Sequence, residues 1–202
     1  MGFVRKNTYY STIVYEWNLP TGWTCPQARE CLVKVDRETG KQENSSVAYR
    51  CYAAAAERFP SARGSRWGNL ESFQDLHALP ELPRAATAVR IHASGDFFSQ
   101  GYFDAWLEFI RERPSVDFWA FTKSLPYWVE RLGQIPENLA MTASVGGRQD
   151  HLIEEHGLRY ALVVPTPQDA HDLGLLIDTN DDLARVRGDS FALVDNYYKA
   201  PR

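Results

Sequence analysis

The chain carries three cysteines, Cys25, Cys31 and Cys51, in the spacing C-x5-C-x19-C. Three thiolates can hold three irons of a cubane cluster and leave the fourth metal position to another ligand. The same thiolates could instead close a structural zinc tetrahedron with one histidine, and His92 or His77 would supply it. A third reading is three unrelated thiols in the core, a common place for cysteine. C-x5-C-x19-C is neither a standard ferredoxin nor a standard zinc spacing, so on spacing alone all three readings stay open. An odd cysteine count argues against a disulfide framework.

Further along, Ser94-Gly95-Asp96 lies between a strand pattern and a helix pattern. Gly95 would allow close backbone approach to a ligand, and Asp96 could accept hydrogen bonds from an amine or a ribose. The plainer reading is a turn in which Asp96 caps the next helix. His92 falls in an apolar run, where alternation puts it on the face of Arg90 and Ser94. Lys123 ends an aromatic run and could hold a carboxylate or phosphate, or simply lie in solvent. Ser144 ends another run, ahead of Gly146-Gly147. The chain has no G-x-S-x-G elbow and no G-x-G-x-x-G dinucleotide fingerprint.

These residues need elements to bring them together. Six β-rich runs supply strands: S-T-I-V-Y-E-W from Ser11, A-V-R-I-H-A from Ala88, D-F-W-A-F-T from Asp117, L-A-M-T-A-S from Leu139, Y-A-L-V-V from Tyr160 and S-F-A-L-V from Ser190. Helices are expected over Val47–Phe59, Ser99–Glu112, Leu125–Leu132 and Gln168–Leu173. The second has apolar residues at Phe103, Trp106, Leu107 and Ile110, with Ser99 as N-cap. Asp36–Ser46 is polar and contains Gly40, which reads as a surface loop or hairpin tip. Alternating strands and helices predict an α/β fold, an incomplete parallel βα barrel of about six strands in one domain over residues 1–202. In such sheets the site lies at the carboxyl ends of the strands. Cys25, Ser94-Gly95-Asp96, Lys123 and Ser144 each follow or end a strand. Trp17, Trp23, Trp119 and Trp128 read as core, with Trp17 and Trp23 placed to shield the first cysteine from water.

Of 202 residues, 44% are hydrophobic and 13% aromatic, the composition of a globular chain. Met1–Tyr10 has no apolar export core, and no apolar run reaches the ~18 residues that span a bilayer. The expectation is a soluble cytoplasmic protein without a membrane partner. A net charge of −4 argues against bulk nucleic-acid binding. The best local basic patch is Arg58, Arg63 and Arg66.

W-N-L-P-T-G-W-T-C-P from Trp17, C-Y-A from Cys51, R-I-H-A-S-G-D-F-F-S from Arg90 and F-W-A-F-T-K-S from Phe118 resemble the phage gene product 88 family. These are small proteins of actinobacterial phages and some bacteria. The resemblance covers roughly Tyr15 to Val194. That family is in turn similar to radical-SAM proteins, partial or full βα barrels with three cysteines after the first strand and a Gly-rich acidic motif after the second. The resemblance implies that Cys25, Cys31 and Cys51 ligate a [4Fe–4S] or [3Fe–4S] cluster. It also implies that Ser94-Gly95-Asp96 stands where the amino group of S-adenosylmethionine is held, with Lys123 or Ser144 contacting the rest. This chain departs from the usual C-x3-C-x2-C, because a polar loop displaces the third cysteine. It has no cysteine after Cys51, so a second metal site is not expected. Two functions follow: a radical-SAM-like enzyme, or a cluster-bearing protein that binds a host protein or nucleic acid through Arg58–Trp67. A structural zinc module is the third.

Overall fold

β-Branched and aromatic runs fit a pleated surface, and all six such runs form strands. The computed structural model describes residues 2–6, 13–29, 31–43 and 51–195. The main sheet has eight strands: β1 (Val4–Lys6), β2 (Val14–Trp17), β5 (Ala88–Ile91), β6 (Asp117–Thr122), β7 (Leu139–Ser144), β8 (Tyr160–Val164), β10 (Phe191–Val194) and β9 (Leu176–Ile177). They lie side by side in the order just given. β3 (Lys34–Val35) and β4 (Gln42–Glu43) form a separate antiparallel hairpin, whose turn contains Gly40 at φ +73°. That hairpin is the expected polar tip; Glu43 is its last described residue, so residues 44–46 lie outside the description.

From β2 to β10 the strands are parallel and follow chain order, apart from short β9 at the far edge. Only β1 runs antiparallel, on β2. A doubly wound sheet reverses its order at a switch point. This sheet has no such reversal among β2, β5, β6, β7, β8 and β10. It is open, ending at β1 on one side and β9 on the other, so it is a mixed α/β sheet and not a closed barrel.

Alternation divides each strand between two faces. Tyr15, Trp17, Val89, Ile91, Phe118, Ala120, Leu139, Met141 and Ala143 join one core with residues of α2 (Pro60–Leu76), α3 (Gln100–Arg111) and α4 (Leu125–Val129). The opposite face carries Val14, Ala88, Trp119, Ala140, Ala161 and Phe191. No described helix covers that face; Ala184 and Leu183 of an irregular segment pack there instead. α3 buries Tyr102, Phe103, Trp106, Leu107, Phe109 and Ile110, and Ser99 Oγ accepts from Tyr102 N at 3.2 Å, the expected cap.

Helix α1 (Tyr52–Ala56) is shorter than the expected Val47–Phe59. Residues 47–50 lie outside the description, and the chain turns after Ala56 before α2 begins at Pro60. α2 itself has no counterpart among the expected helices. Its inner face carries Arg63, Arg66, Gly68 and Asn69 beside Leu70 and Phe73, so it lacks an apolar stripe. α5 (His151–Glu155) and α6 (Pro167–Asp172) complete the helices. Among the described residues no helix is long and apolar enough to cross a membrane.

Candidate functional site

The loop after β2 is shaped by glycine and by contacts with the second βα turn. Gly22 sits at φ +75°, where a Cβ would stand 2.2 Å from the carbonyl oxygen of Val33. Leu19 N donates to Ser94 O at 2.9 Å, and Ser94 Oγ donates to Leu19 O at 2.9 Å. Ser94 N donates to Asn18 Oδ1 at 2.9 Å. Gly95, at φ +81°, lies so close that a Cβ would be 2.6 Å from both Leu19 Cβ and Thr24 Oγ1. The close approach expected of Gly95 is thus made by the Cys25 loop of the chain itself. Ser94 is buried and engaged in the same joint.

Cys25 follows that joint, Cys31 lies one turn further on, and Cys51 precedes α1 as its N-cap residue. All three are free thiols and half-buried. Burial raises all three thiol pKa values. As thiolates, Cys25, Cys31 and Cys51 would repel one another, and Asp96 would repel Cys25 and Cys31. Opposing this, the Lys123 charge favours the Cys31 thiolate, and the amides of Ala54 and Ala53 favour that of Cys51. The structure therefore gathers the three sulfurs within one electrostatic neighbourhood. Among the described residues, no three of His, Cys, Asp and Glu stand close enough to hold a single metal ion. A zinc tetrahedron needs Zn–S bonds of about 2.3 Å and hence sulfurs roughly 4 Å apart. The zinc alternative has no such donor set here.

Neither histidine serves it. His92 follows β5 at φ +61°, which turns its ring away from the face of Arg90. The ring is buried against Phe97, Tyr102 and Trp106, with Nε2 2.9 Å from the Tyr102 hydroxyl. Burial lowers its pKa to about 3. His77 is the left-handed C-cap of α2, beside Phe73. Trp17 also belongs to this core, where Nε1 donates to the Tyr102 hydroxyl at 2.9 Å. Trp23 is nearly half exposed and packs on Trp67.

Asp96 is buried at the end of the second βα turn. Its Oδ1 accepts from Thr122 Oγ1 at 2.5 Å and Phe97 N at 2.7 Å, and its Oδ2 from Lys123 N at 2.8 Å. It does not cap α3; Ser99 does. Burial outweighs these donors and raises its pKa to about 6. A carboxyl whose folded pKa exceeds its unfolded value contributes stability below the unfolded pKa and loses it as pH rises through the folded one. Asp96 therefore opposes folding increasingly between about pH 4 and about pH 6. His92, lowered by burial, has the opposite sign across this window, because its unfolded form takes up the proton first. Asp96→Asn should thus gain on wild type by up to ~1.4 kcal/mol per pH unit through that window. Urea unfolding at stepped pH measures the difference, and a flat difference refutes it.

Lys123, partly buried, presents no free ammonium. Its Nζ donates to Ser144 O at 2.9 Å, Ser144 Oγ at 3.0 Å and Val145 O, so all three protons are engaged. It ties the end of β6 to the end of β7. Beyond Ser144, Gly146 N and Gly147 N donate to the Asp150 carboxylate at 2.7 and 2.9 Å. Arg148 N donates to Gln27 O at 2.9 Å, and Arg148 Nε to Ala28 O at 3.2 Å. The Gly-Gly loop is therefore docked on the segment between Cys25 and Cys31. The strand ends of β2, β5, β6 and β7 meet around the cysteines, as the sheet rule expects.

Sequence reasoning missed Glu57 and Arg66 as a pair. Glu57 Oε1 accepts from Thr21 N, Thr21 Oγ1 and Arg66 Nη1 at 2.7, 2.6 and 2.8 Å. Glu57 is fully buried, and its Oε2 has no partner among the described residues. Arg66 also donates to Ala53 O at 2.9 Å. Arg63 donates to the carbonyls of Arg37, Glu38, Glu57 and Arg58. Two of the three arginines expected as a basic patch are thus interior, and only Arg58 is exposed.

The family described as Gene product 88 matches residues 4–199 of the chain. The chain is 36% identical over 86 residues to the Gene 88 protein of Mycobacterium phage L5, covering 41% of this chain and 36% of the relative. It is 29% identical over 119 residues to the Gene 88 protein of Mycobacterium phage D29, covering 50% of this chain and 43% of the relative. These matches span less than half the length of either relative. No solved structure matches the chain.

Proposed function

The chain belongs to the gene product 88 family, and from that premise we propose that Cys25, Cys31 and Cys51 ligate an iron–sulfur cluster at the strand ends of an incomplete βα barrel. The observation that carries this reading is the convergence of the chain's only three cysteines on one neighbourhood at the carboxyl ends of β2 and β5. A cubane spreads three thiolates over three irons, so it needs a wider sulfur spacing than a single ion does. Buried thiolates that repel one another are relieved by bound cationic iron. The monotonic strand order supports the barrel-like architecture. When bound, such a cluster supplies one-electron chemistry and one iron open to a ligand other than cysteine.

The protein's own residues then hold the surroundings. The amides of Ala53 and Ala54 face Cys51, and Lys123 supplies positive charge near Cys31. Asp96 Oδ2 keeps a lone pair beyond its bond to Lys123 N, and that is the atom we assign to an incoming amine such as that of S-adenosylmethionine. Lys123 and Ser144 act here as a brace for the β6 and β7 ends, since the ammonium protons are already engaged.

Anaerobic reconstitution with iron and sulfide tests the reading. About three or four irons per chain are expected in wild type, with loss of most of the iron in Cys25→Ser and Cys51→Ser. Iron retained in both variants, or zinc bound in place of iron, overturns it. An electron paramagnetic resonance change on adding S-adenosylmethionine extends the proposal to radical-SAM-like catalysis. An unchanged spectrum leaves the non-enzymatic reading, a cluster-bearing protein that binds a host protein or nucleic acid.

A further inference from the structure

The sheet face opposite α2, α3 and α4 has a polar centre that the cysteine site does not use. Glu16, Arg90, Trp119 and Ala140 are Cα partners in one row across β2, β5, β6 and β7. Alternation points Arg90, with Ala88, and Trp119, with Ala140, to this face. Around Trp119 and Phe191 the face also carries small side chains, Ala88, Ala140 and Ala161.

Residues 178–187, a segment without helix or strand, pack on this face through Leu183 and Ala184. Asp181 reaches in from it at φ +63°. Its Oδ2 accepts from Arg90 Nη1 at 3.1 Å and from Trp119 Nε1 at 3.1 Å. Arg185 lies over the Trp119 ring, 5.3 Å from its centroid. Arg90 also contacts the hydroxyl of Tyr52, the residue after Cys51, at 3.4 Å. One residue pair further along the sheet, Thr142 Oγ1 on β7 is buried without a hydrogen-bond partner among the described residues. A buried hydroxyl without a partner is rare and calls for a polar group to meet it.

We propose that this face is a carboxylate-binding site, built by Arg90 and Trp119, which the chain's own Asp181 occupies as an internal ligand. A guanidinium and an indole N–H converging on one oxygen recognise a planar carboxylate. Thr142 would hydrogen-bond a ligand longer than the Asp181 side chain. Residues 178–187 are the strap that must swing out to admit one. The inference goes beyond the cluster reading and does not depend on it, since no cysteine takes part.

The experiment uses the full chain with no iron added, so its failure is separate from any failure of the cluster. Asp181→Gly removes the internal carboxylate and suits the positive φ. Acetate, which copies the lost side chain, should then bind saturably at millimolar concentration and raise the melting temperature. Equal chloride should do neither, and adding Arg90→Gln should abolish the effect. In wild type, amides of residues 178–187 should exchange with deuterium through local opening, well before those of β6. Acetate that fails to bind Asp181→Gly overturns the proposal. So does strap exchange that keeps pace with β6, a measurement that decides the matter even if the variant does not fold.

Discussion

Glu57→Ala is expected to destabilise the protein by about 3–5 kcal/mol, because it strands the Arg66 charge in the interior. Arg66 Nη1 would keep the Ala53 carbonyl but lose the Glu57 carboxylate, 2.8 Å away. The loss also removes the acceptor for both Thr21 N and Thr21 Oγ1. Thr21 belongs to the Cys25 loop, and Ala53 to the helix that follows Cys51. One ion pair therefore fastens two of the cysteine-bearing segments to each other. Glu57→Gln preserves the shape and part of the hydrogen bonding, and should still be costly because Arg66 remains charged. Urea unfolding measures both. A loss under about 0.5 kcal/mol, the range of ordinary surface changes, would show that the pair is not structural. Retention of the proposed cluster should fall in parallel with stability.

Gly95→Ala should cost about 3 kcal/mol, the second largest effect. The left-handed backbone at φ +81° adds roughly 1–2 kcal/mol for any Cβ. The collision with Leu19 Cβ and Thr24 Oγ1 adds an overpacking cost of about 1–3 kcal/mol. Gly157→Ala is the control, since φ is +58° but nothing lies within 4 Å of the added carbon. Thermal unfolding of the two variants separates backbone strain from collision. Equal losses would mean that the joint between Gly95 and the Cys25 loop yields freely.

The strands were legible because each is a short β-branched or aromatic run, and their parallel order followed from the helices between them. Ser99 was legible as a cap because an amphipathic stripe begins directly after it. The meeting of Cys25, Asp96, Lys123 and Ser144 at one end of the sheet followed from their common place after strands. Helix α2 was hidden because buried polar residues, Arg63, Arg66 and Asn69, stand where periodicity looks for apolar ones. His92 was assigned to the wrong face because alternation presumes extended backbone, and its φ of +61° ends the strand. Lys123 and the Glu57–Arg66 pair depend on partners 21 and 9 residues away that only the fold selects. Asp181 was hidden for the same reason: its partners are Arg90 and Trp119, far back in the chain. The relation to the gene product 88 family was readable from four short motifs, and it extends across residues 4–199.

A sheet whose parallel strands stack in the order they are made lets each βα unit settle on its predecessor during synthesis. One exception is the bond of Arg148 to Gln27 and Ala28, which spans 120 residues in the case of Ala28. Until the ribosome has passed Arg148, the stretch between Cys25 and Cys31 lacks its dock, however early β2 and β5 have paired. The thiols are thus born first and positioned late. Any cargo they accept must wait until the chain has emerged past Arg148, and truncation ahead of β7 should yield a folded stump with loose cysteines.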